Sequence, residues 1–231
     1  MKHLFILVLA VVVSLAAPHQ AQSNPLNRWK ISCGVDDNSI VRTGKTWVFR
    51  TSSNQCPGGI FKQRAEISSD RVPPTTRAAY MFTTYLTMRT QVAEKYDIFQ
   101  MHDGRRGCAP PLKLTVKRDG RMELTSDLKT GPGESCERGW LDRRATPGRI
   151  RTDGTEQKLE VLVNFDGEGG FATTVWLDGV MQLNGRYTAP ADPRYFASEF
   201  FYFKHGVYSQ RSFPYEMTSR GMSVRRVRVK N

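Results

Sequence analysis

Three short segments of the sequence pair an apolar face with a face of titratable and hydrogen-bonding side chains. FKQRAEISS (61–69), FQMHDG (99–104) and YFKHGVYSQ (202–210) each have the composition of a β-strand, in which successive side chains point to opposite faces. This period of two predicts that the polar residues of each segment share one face: Arg64, Glu66 and Ser68; Gln100 and His102; Tyr202, Lys204, Tyr208 and Gln210. If the three faces line one concave sheet, these side chains converge.

The residue types suit cleavage of a uronic acid polymer by β-elimination. This reaction removes the weakly acidic C5 proton beside a carboxylate, so donors must stabilise the enolate-like anion that develops. Arg64 can bind a carboxylate bidentately, and Gln100 can donate to its oxygen. His102 titrates near neutrality. Tyr208 can donate a proton and, beside a cation such as Lys204, can also accept one, so the identity of the base stays open.

Two other functions remain as alternatives. A glycoside hydrolase normally needs two carboxylates across the scissile bond. Glu66 could supply one, but it is more simply interpreted as an ion pair that orients Arg64. The period of two places Asp97 on the opposite face, and Asp103 falls in a turn, so a hydrolase is less favoured. A non-catalytic module that binds acidic polysaccharide is the second alternative, because the fold does not decide between binding and catalysis.

The N-terminal residues have the pattern of a secretory signal peptide. A short basic start precedes an apolar run at 4–17, and SLA at 14–16 supplies small residues for cleavage. The run is shorter than the roughly 20 residues that span a bilayer, so stable membrane insertion is not expected. We therefore predict a signal peptide at 1–21, a single domain at 22–231, and a secreted or periplasmic monomer.

Four cysteines remain in that domain, and an even number in an exported protein predicts two disulfides. Proximity in the sequence favours Cys33 with Cys56 and Cys108 with Cys136. The sequence has no CxxC motif or His/Cys cluster of the kind that binds zinc. The predicted reaction requires no metal or other cofactor, although a structural calcium stays open.

The charge balance indicates an acidic partner. The chain has 34 Lys and Arg residues against 22 Asp and Glu residues, a formal net charge of +12. A strongly basic protein attracts polyanions such as nucleic acid, anionic lipid or acidic polysaccharide. Export favours an acidic polysaccharide and argues against nucleic acid.

Short β-rich runs separated by Gly, Pro or Asp recur along the chain, and no sustained helical period is present. One short helix is expected at 192–198. Ten or more strands in one domain favour two stacked antiparallel sheets, so we predict an all-β jelly-roll sandwich with a concave substrate groove. The predicted strands lie at 47–50, 62–68, 79–88, 96–102, 112–117, 122–126, 157–164, 173–177, 180–183, 200–210 and 223–230.

The three polar segments resemble the signature strands of jelly-roll polysaccharide lyases, above all the alginate lyases and the related glucuronan and heparin-type lyases. The alginate lyase family has R-x-E-L-R, Q-I-H and Y-F-K-x-G-x-Y-x-Q strands. This chain has RAEIS at 64–68, QMH at 100–102 and YFKHGVYSQ at 202–210. The third segment is the most specific, and the order and spacing extend the resemblance over most of the mature chain.

The resemblance implies a role for each matching residue. Arg64 and Gln100 would neutralise the uronate carboxylate, and His102 and Tyr208 would transfer protons. Substrate binding would involve Lys204 together with Glu66, Tyr202 and Gln210. Ser68 stands where the alginate strand has a second arginine, and His205 stands at an often small position. Both departures weigh against alginate in particular and leave room for glucuronan or another polyuronate.

Overall fold

Runs in which apolar and polar residues alternate form the strands of this protein. In the strand Gln157–Asp166, every second side chain is buried. The computed structural model describes residues 24–53, 62–105, 107, 110–132 and 135–229. Over these residues it has a 3-10 turn at Pro25–Asn27 and the strands β1 Trp29–Ile31, β2 Ile40–Thr43, β3 Thr46–Arg50, β4 Gln63–Ser69, β5 Arg77–Arg89, β6 Tyr96–His102, β7 Leu112–Val116, β8 Met122–Lys129, β9 Cys136–Asp142, β10 Gln157–Asp166, β11 Phe171–Leu177, β12 Val180–Tyr187, β13 Tyr202–Ser209 and β14 Glu216–Val227.

The described strands form two antiparallel sheets of seven strands each. The first, which we call the site sheet, has the order β1-β4-β13-β6-β7-β8-β9, and the second, the back sheet, has the order β12-β11-β10-β5-β14-β3-β2. Neighbouring strands come from distant parts of the chain, because β13 lies between β4 and β6, and β14 lies between β5 and β3. This arrangement confirms the predicted all-β jelly roll.

The apolar faces of the two sheets pack against each other in one hydrophobic core. Aromatic rings from both sheets meet there. The ring centroid of Phe82 lies 5.0 Å from that of Phe99, and the ring centroid of Phe165 lies 5.2 Å from that of Phe201 and 6.5 Å from that of Phe203. Each such side chain stabilises the fold by about 1.5–3 kcal/mol when fully buried. One face of the site sheet therefore packs in the core, and the opposite face can carry polar groups.

The predicted strands are present, with shifts of a few residues at most ends, and β6 has the predicted bounds. Three strands were missed: β1, β2 and β9. Two of them have only three or four residues, too few to show a period, and β9 has Gly139 at its centre. The helix expected at 192–198 is wrong. Asp192 instead accepts the backbone N–H of Arg194 (2.9 Å) in a local turn, a conformation that competes with helix formation.

The signal peptide expected at 1–21 lies outside the described residues, as do Cys56 and Cys108. No free cysteine occurs in the described part of the chain, and the cysteine pairing stays a prediction. No helix among the described residues is long and apolar enough to cross a membrane. Within the same ranges, no group of three or more His, Cys, Asp and Glu residues is placed to hold a metal ion.

Candidate active site

The centre of the site sheet brings the three polar segments together. β13 pairs with β4 on one side and with β6 on the other, so residues from distant segments face each other in register. Lys204 lies opposite both Ser68 and Gln100, Tyr208 lies opposite Arg64, and Tyr202 lies opposite His102. Paired residues of neighbouring strands share a face. The convergence expected from the period of two is therefore present.

Glu66 connects the charged groups of this face. Its side chain is 2% exposed and lies within reach of three donors. Arg64 Nε donates to Glu66 Oε2 (3.0 Å), Gln100 Nε2 donates to Glu66 Oε1 (3.0 Å), and Lys204 Nζ lies 3.6 Å from Glu66 Oε2. A buried carboxylate with these partners is compensated in charge and in hydrogen bonds. Glu66 therefore holds Arg64 and Gln100 in defined orientations.

The proton positions of this network follow from Glu66. A carboxylate only accepts, so the amide nitrogen of Gln100 must face it and the amide oxygen must face His102. His102 Nε2 lies 2.8 Å from Gln100 Oε1 and must donate to it. In the neutral ring the proton then resides on Nε2, and Nδ1 keeps its lone pair. Residues 66 and 100 together select the tautomer of His102.

The surroundings also keep His102 neutral. Burial lowers the pKa of His102 well below its usual value, and the positive charges of Lys204, Arg64 and Lys113 lower it further. Burial and the charge of Arg64 likewise lower the pKa of Lys204, against the opposing effect of Glu66. A neutral imidazole with a free lone pair on Nδ1 can act as a general base at neutral pH.

Aromatic contacts position the two tyrosines of β13. The Tyr202 ring stacks on His102, with centroids 5.4 Å apart and planes at 27°. The guanidinium carbon of Arg64 lies 4.9 Å from the Tyr208 ring centroid. Tyr208 therefore lies beside the guanidinium, and Tyr202 covers one face of the imidazole. Gln210 follows the end of β13 and is exposed.

Gly206 allows β13 to approach Glu66. Its φ is +146°, in the region that favours glycine, and a Cβ atom there would lie 2.7 Å from the Cα of Glu66. A β-bulge between His205 and Tyr208 accompanies it in the pairing with β6. Bulges increase twist locally and redirect side chains. A larger residue at 206 would push β13 away from the residues that it brings together.

A second bulge overturns the prediction for Asp97. The β6–β7 pairing shifts register between Asp97 and Phe99, so Asp97 lies opposite Thr115 and accepts a hydrogen bond from its hydroxyl. Asp97 also lies opposite Tyr208, on the polar face of the sheet. Burial raises its pKa to about 6, against the effects of Lys113 and Thr115. The period of two had placed Asp97 on the other face, and nothing in the sequence marks the bulge.

His205 does not contribute to the polar face. Its side chain is fully buried in the core, with its ring centroid 5.5 Å from that of Phe49 and 5.0 Å from that of Phe82. Its side chain therefore lies away from the polar face, and the structure gives no support to the inference drawn from it against alginate. Asp103 is also buried, where it forms an ion pair with Arg105.

Two hollows on the polar face flank these residues. The β1 hollow, about 660 Å³, contains Lys30, Ser68, Arg71, Tyr202 and Lys204 among its lining residues. The β8 hollow, about 550 Å³, lies on the other side of the site, and its lining residues include Asp97, Lys113, Glu123, Tyr208 and Gln210. β13 supplies residues to both hollows, and Arg64 lines the β1 hollow while Tyr208 lines the β8 hollow.

Comparisons with known proteins agree with this architecture. The sequence model of a family described as polysaccharide lyase matches residues 28–225. Similar solved structures include an alginate lyase from Klebsiella pneumoniae (13% identity, 88% of this chain and 97% of that chain covered, TM-score 0.54) and the alginate lyase from Alteromonas sp. 272 (15%, 87% and 94%, 0.54). An endo-β-1,4-glucuronan lyase from the fungus Trichoderma reesei is also similar (13%, 87% and 88%, 0.51). At these identities the structural likeness shows the fold. A search of curated proteins found no match.

Proposed function

The chain belongs to the polysaccharide lyase family and is an enzyme of that type, and we propose that it cleaves a uronic acid polymer by β-elimination. The observation that carries this proposal is the chain of hydrogen bonds from Glu66 through Gln100 to His102. It leaves a neutral imidazole with a lone pair on Nδ1, close enough to Lys204 and Arg64 for their positive charges to lower its pKa. A β-elimination needs such a base next to cations that stabilise the carboxylate of the reacting sugar.

In the proposed reaction, Arg64 and Gln100 bind the uronate carboxylate. Arg64 uses Nε for Glu66, which leaves its terminal nitrogens to donate to substrate. Gln100 uses one N–H for Glu66 and has a second to donate. Lys204 adds positive charge close by. These groups stabilise the negative charge that moves onto the carboxylate when the C5 proton leaves, and Glu66 acts as a positioning residue.

His102 and Tyr208 are the proposed proton-transfer pair. His102 Nδ1 takes the C5 proton, the C5–H electron pair forms the C4–C5 double bond, and the bond from C4 to the glycosidic oxygen breaks. The Tyr208 hydroxyl gives its proton to that oxygen. The stacking of His102 on Tyr202 supports this assignment, because it fixes the plane of the base. Tyr202 and Gln210 line the groove on either side.

The net charge of +12 supports an acidic polymer as substrate. Ser68 in place of a second arginine favours glucuronan or another polyuronate over alginate. We also propose that the protein is secreted or periplasmic, with a signal peptide at 1–21 and disulfides among its four cysteines. The apolar run at 4–17 supports the export proposal.

A panel of purified polyuronates tests the function. Absorbance from the new C4–C5 double bond should rise with at least one of glucuronan, alginate, a heparinoid or a pectic polymer. Tyr208→Phe should reduce turnover strongly and leave binding nearly unchanged, because the ring stays and only the hydroxyl is lost. A fully active Tyr208→Phe variant would remove Tyr208 from the mechanism.

The same panel separates the alternatives. Retention on an immobilised polyuronate without any product would favour a binding module. Saturated reducing ends in place of unsaturated ends would favour a hydrolase. The placement of Asp97 on the polar face makes the hydrolase test worthwhile, although the hydrogen bonds of Glu66 commit that carboxylate to Arg64 and Gln100.

A further inference from the structure

The β1 hollow contains two cations that the proposed reaction does not use. Lys30 and Arg71 are both exposed and line the same hollow as Arg64 and Lys204. Neither forms an ion pair with any of the residues that the structure describes, whereas Arg64 and Lys204 lie on Glu66. Asp70 is the carboxylate that lines this hollow, and Arg28 binds it (2.8 Å). Lys30 and Arg71 therefore have their charge available to a ligand.

Lys30 lies in the same row across the site sheet as Lys204. It is opposite Ser68 in the pairing of β1 with β4, and Ser68 is opposite Lys204 in the pairing of β4 with β13. The three residues form one row across the sheet, and two strand spacings separate the backbone of Lys30 from that of Lys204 by about 10 Å. Ser68 has a small side chain and lines the hollow, so it leaves room above the sheet between the two lysines.

The packing around Arg71 holds its guanidinium in place. The guanidinium carbon lies 3.9 Å from the Phe200 ring centroid, and Phe200 packs against Tyr202 at 5.9 Å. Tyr202 in turn stacks on His102. Two backbone hydrogen bonds of 2.8 Å between Val72 and Phe201 fix the adjacent backbone. Arg71 is thus connected to the imidazole by a continuous series of ring contacts.

The β8 hollow differs in its charges. Four acidic residues line it: Glu94, Asp97, Asp119 and Glu123. Six basic residues also line it. Lys95 is paired with Glu123 (2.7 Å), and both Lys113 and Arg138 are paired with Asp127, whereas Lys117, Arg118 and Arg211 form no ion pair with the residues that the structure describes. Carboxylates in this hollow repel an anionic group and accept hydrogen bonds from hydroxyls. The β1 hollow, with five basic residues and one acidic residue in its lining, therefore attracts an anionic group more strongly than the β8 hollow does.

We propose that Lys30 and Arg71 bind the carboxylate of the sugar next to the one that reacts, on the β1 side of the groove. The inference rests on the proposed function and narrows its substrate class. The preferred substrate then contains consecutive uronic acids. A polymer in which each uronic acid alternates with an uncharged sugar offers no carboxylate at this position.

The test compares two substrates, three variants of the β1 hollow and one control variant. The substrates are a homopolymer of uronic acid and a polymer in which uronic acid alternates with an uncharged sugar. The variants are Lys30→Gln, Arg71→Gln and their double variant. Arg225→Gln is the matched control, since it removes one exposed charge from the back sheet. Initial rates at fixed ionic strength give kcat and KM.

On the homopolymer, each single variant should raise KM roughly 10-fold and keep kcat within about twofold. The lost charge-assisted hydrogen bond stabilises the bound substrate and the transition state equally. The double variant should raise KM further, and added salt should shrink the difference from wild type. On the alternating polymer, the wild type should already have the higher KM, and the variants should match it. Arg225→Gln should match wild type on both substrates.

Unchanged KM values for the double variant on the homopolymer, in an enzyme that is otherwise active, would overturn the inference and leave the proposed function standing. Equal loss on both polymers would also overturn it, since general attraction would then explain the effect. If the wild type forms no unsaturated product from any polyuronate, the proposed function fails instead. In that case, titration of a uronic acid tetramer against wild type and the double variant still decides whether Lys30 and Arg71 bind carboxylates.

Discussion

Two histidines of the site sheet, the half-buried His102 and the fully buried His205, lie on opposite faces and have opposite tautomers because their hydrogen-bond partners differ. His102 donates from Nε2 to Gln100 and keeps its lone pair on Nδ1. His205 Nδ1 lies 2.9 Å from the carbonyl oxygen of Ile98, which can only accept, so the proton is on Nδ1. Its Nε2 then accepts from the Ser219 hydroxyl (2.6 Å). Both ring nitrogens of His205 form hydrogen bonds. In His102, by contrast, the hydrogen bonds that run from Glu66 through Gln100 use only Nε2.

The comparison shows that burial alone does not make a base. Burial lowers the pKa of both imidazoles, to about 4 for His205, so both are neutral at pH 7. His205 joins the two sheets through β13, β6 and β14 and has no remaining lone pair for chemistry. His102 keeps one because Glu66 and Gln100 direct its proton to Nε2. Substitutions at the two histidines should therefore affect different properties.

The largest expected effect is on turnover in His102→Asn. Loss of the proposed base should lower kcat/KM by roughly 10²–10⁴-fold, with little change in the free energy of unfolding. His205→Gln is the matched control, and it should keep kcat/KM within a few-fold at pH 8 while lowering the midpoint of urea unfolding. Steady-state rates and urea titrations on both variants measure the two effects. Similar loss of activity in the two variants would remove the distinction.

Glu66→Gln should convert His102 to the tautomer of His205. The new amide would turn its oxygen to Arg64 and its nitrogen to Gln100, so Gln100 would flip and donate to His102 Nε2. The proton would then move to Nδ1, and kcat should fall on the order of 10²-fold or more. Nitrogen NMR of the labelled imidazole distinguishes the two tautomers directly. An unchanged His102 spectrum would show that Glu66 does not set the tautomer.

Acidification should destabilise the protein through His205. Its pKa is about 4 in the folded protein against about 6.5 unfolded, so the neutral ring stabilises the fold above pH 6.5, and this contribution is lost as the pH falls through 4. The loss approaches about 3 kcal/mol. Asp97, with its raised pKa of about 6, acts in the opposite direction over much of this range. Urea unfolding at pH 7 and pH 4 should therefore show a smaller loss in His205→Gln than in wild type.

Ser219→Ala should have the smallest effect. It removes the donor to His205 Nε2 and leaves that buried nitrogen without this partner, which should cost about 1–3 kcal/mol of stability. The kcat should stay at the wild-type value, since Ser219 lies in the back sheet and contacts the core face of β13. A Ser219→Ala variant with reduced kcat and unchanged stability would contradict this separation of roles.

Much of the candidate site could be predicted because a strand's alternation is local. The segments around Arg64, Gln100 and Tyr208 each show the period of two without reference to any other strand. The period fails where a bulge interrupts it, as at Asp97, whose face depends on pairing with β7. It is also invisible in a strand of three residues, so β1 and the placement of Lys30 were missed.

The sequence by itself determined the residue types, the excess of positive charge and the face of most strand residues, because backbone sterics set the direction of each side chain from its neighbours. Only the tertiary structure decided which residues meet. Glu66 and Gln100 are 34 positions apart, and their hydrogen bond exists because β13 pairs with both of their strands. The tautomer of His102 follows from that contact. Donors and acceptors can be matched only after strands distant in the sequence have been brought side by side.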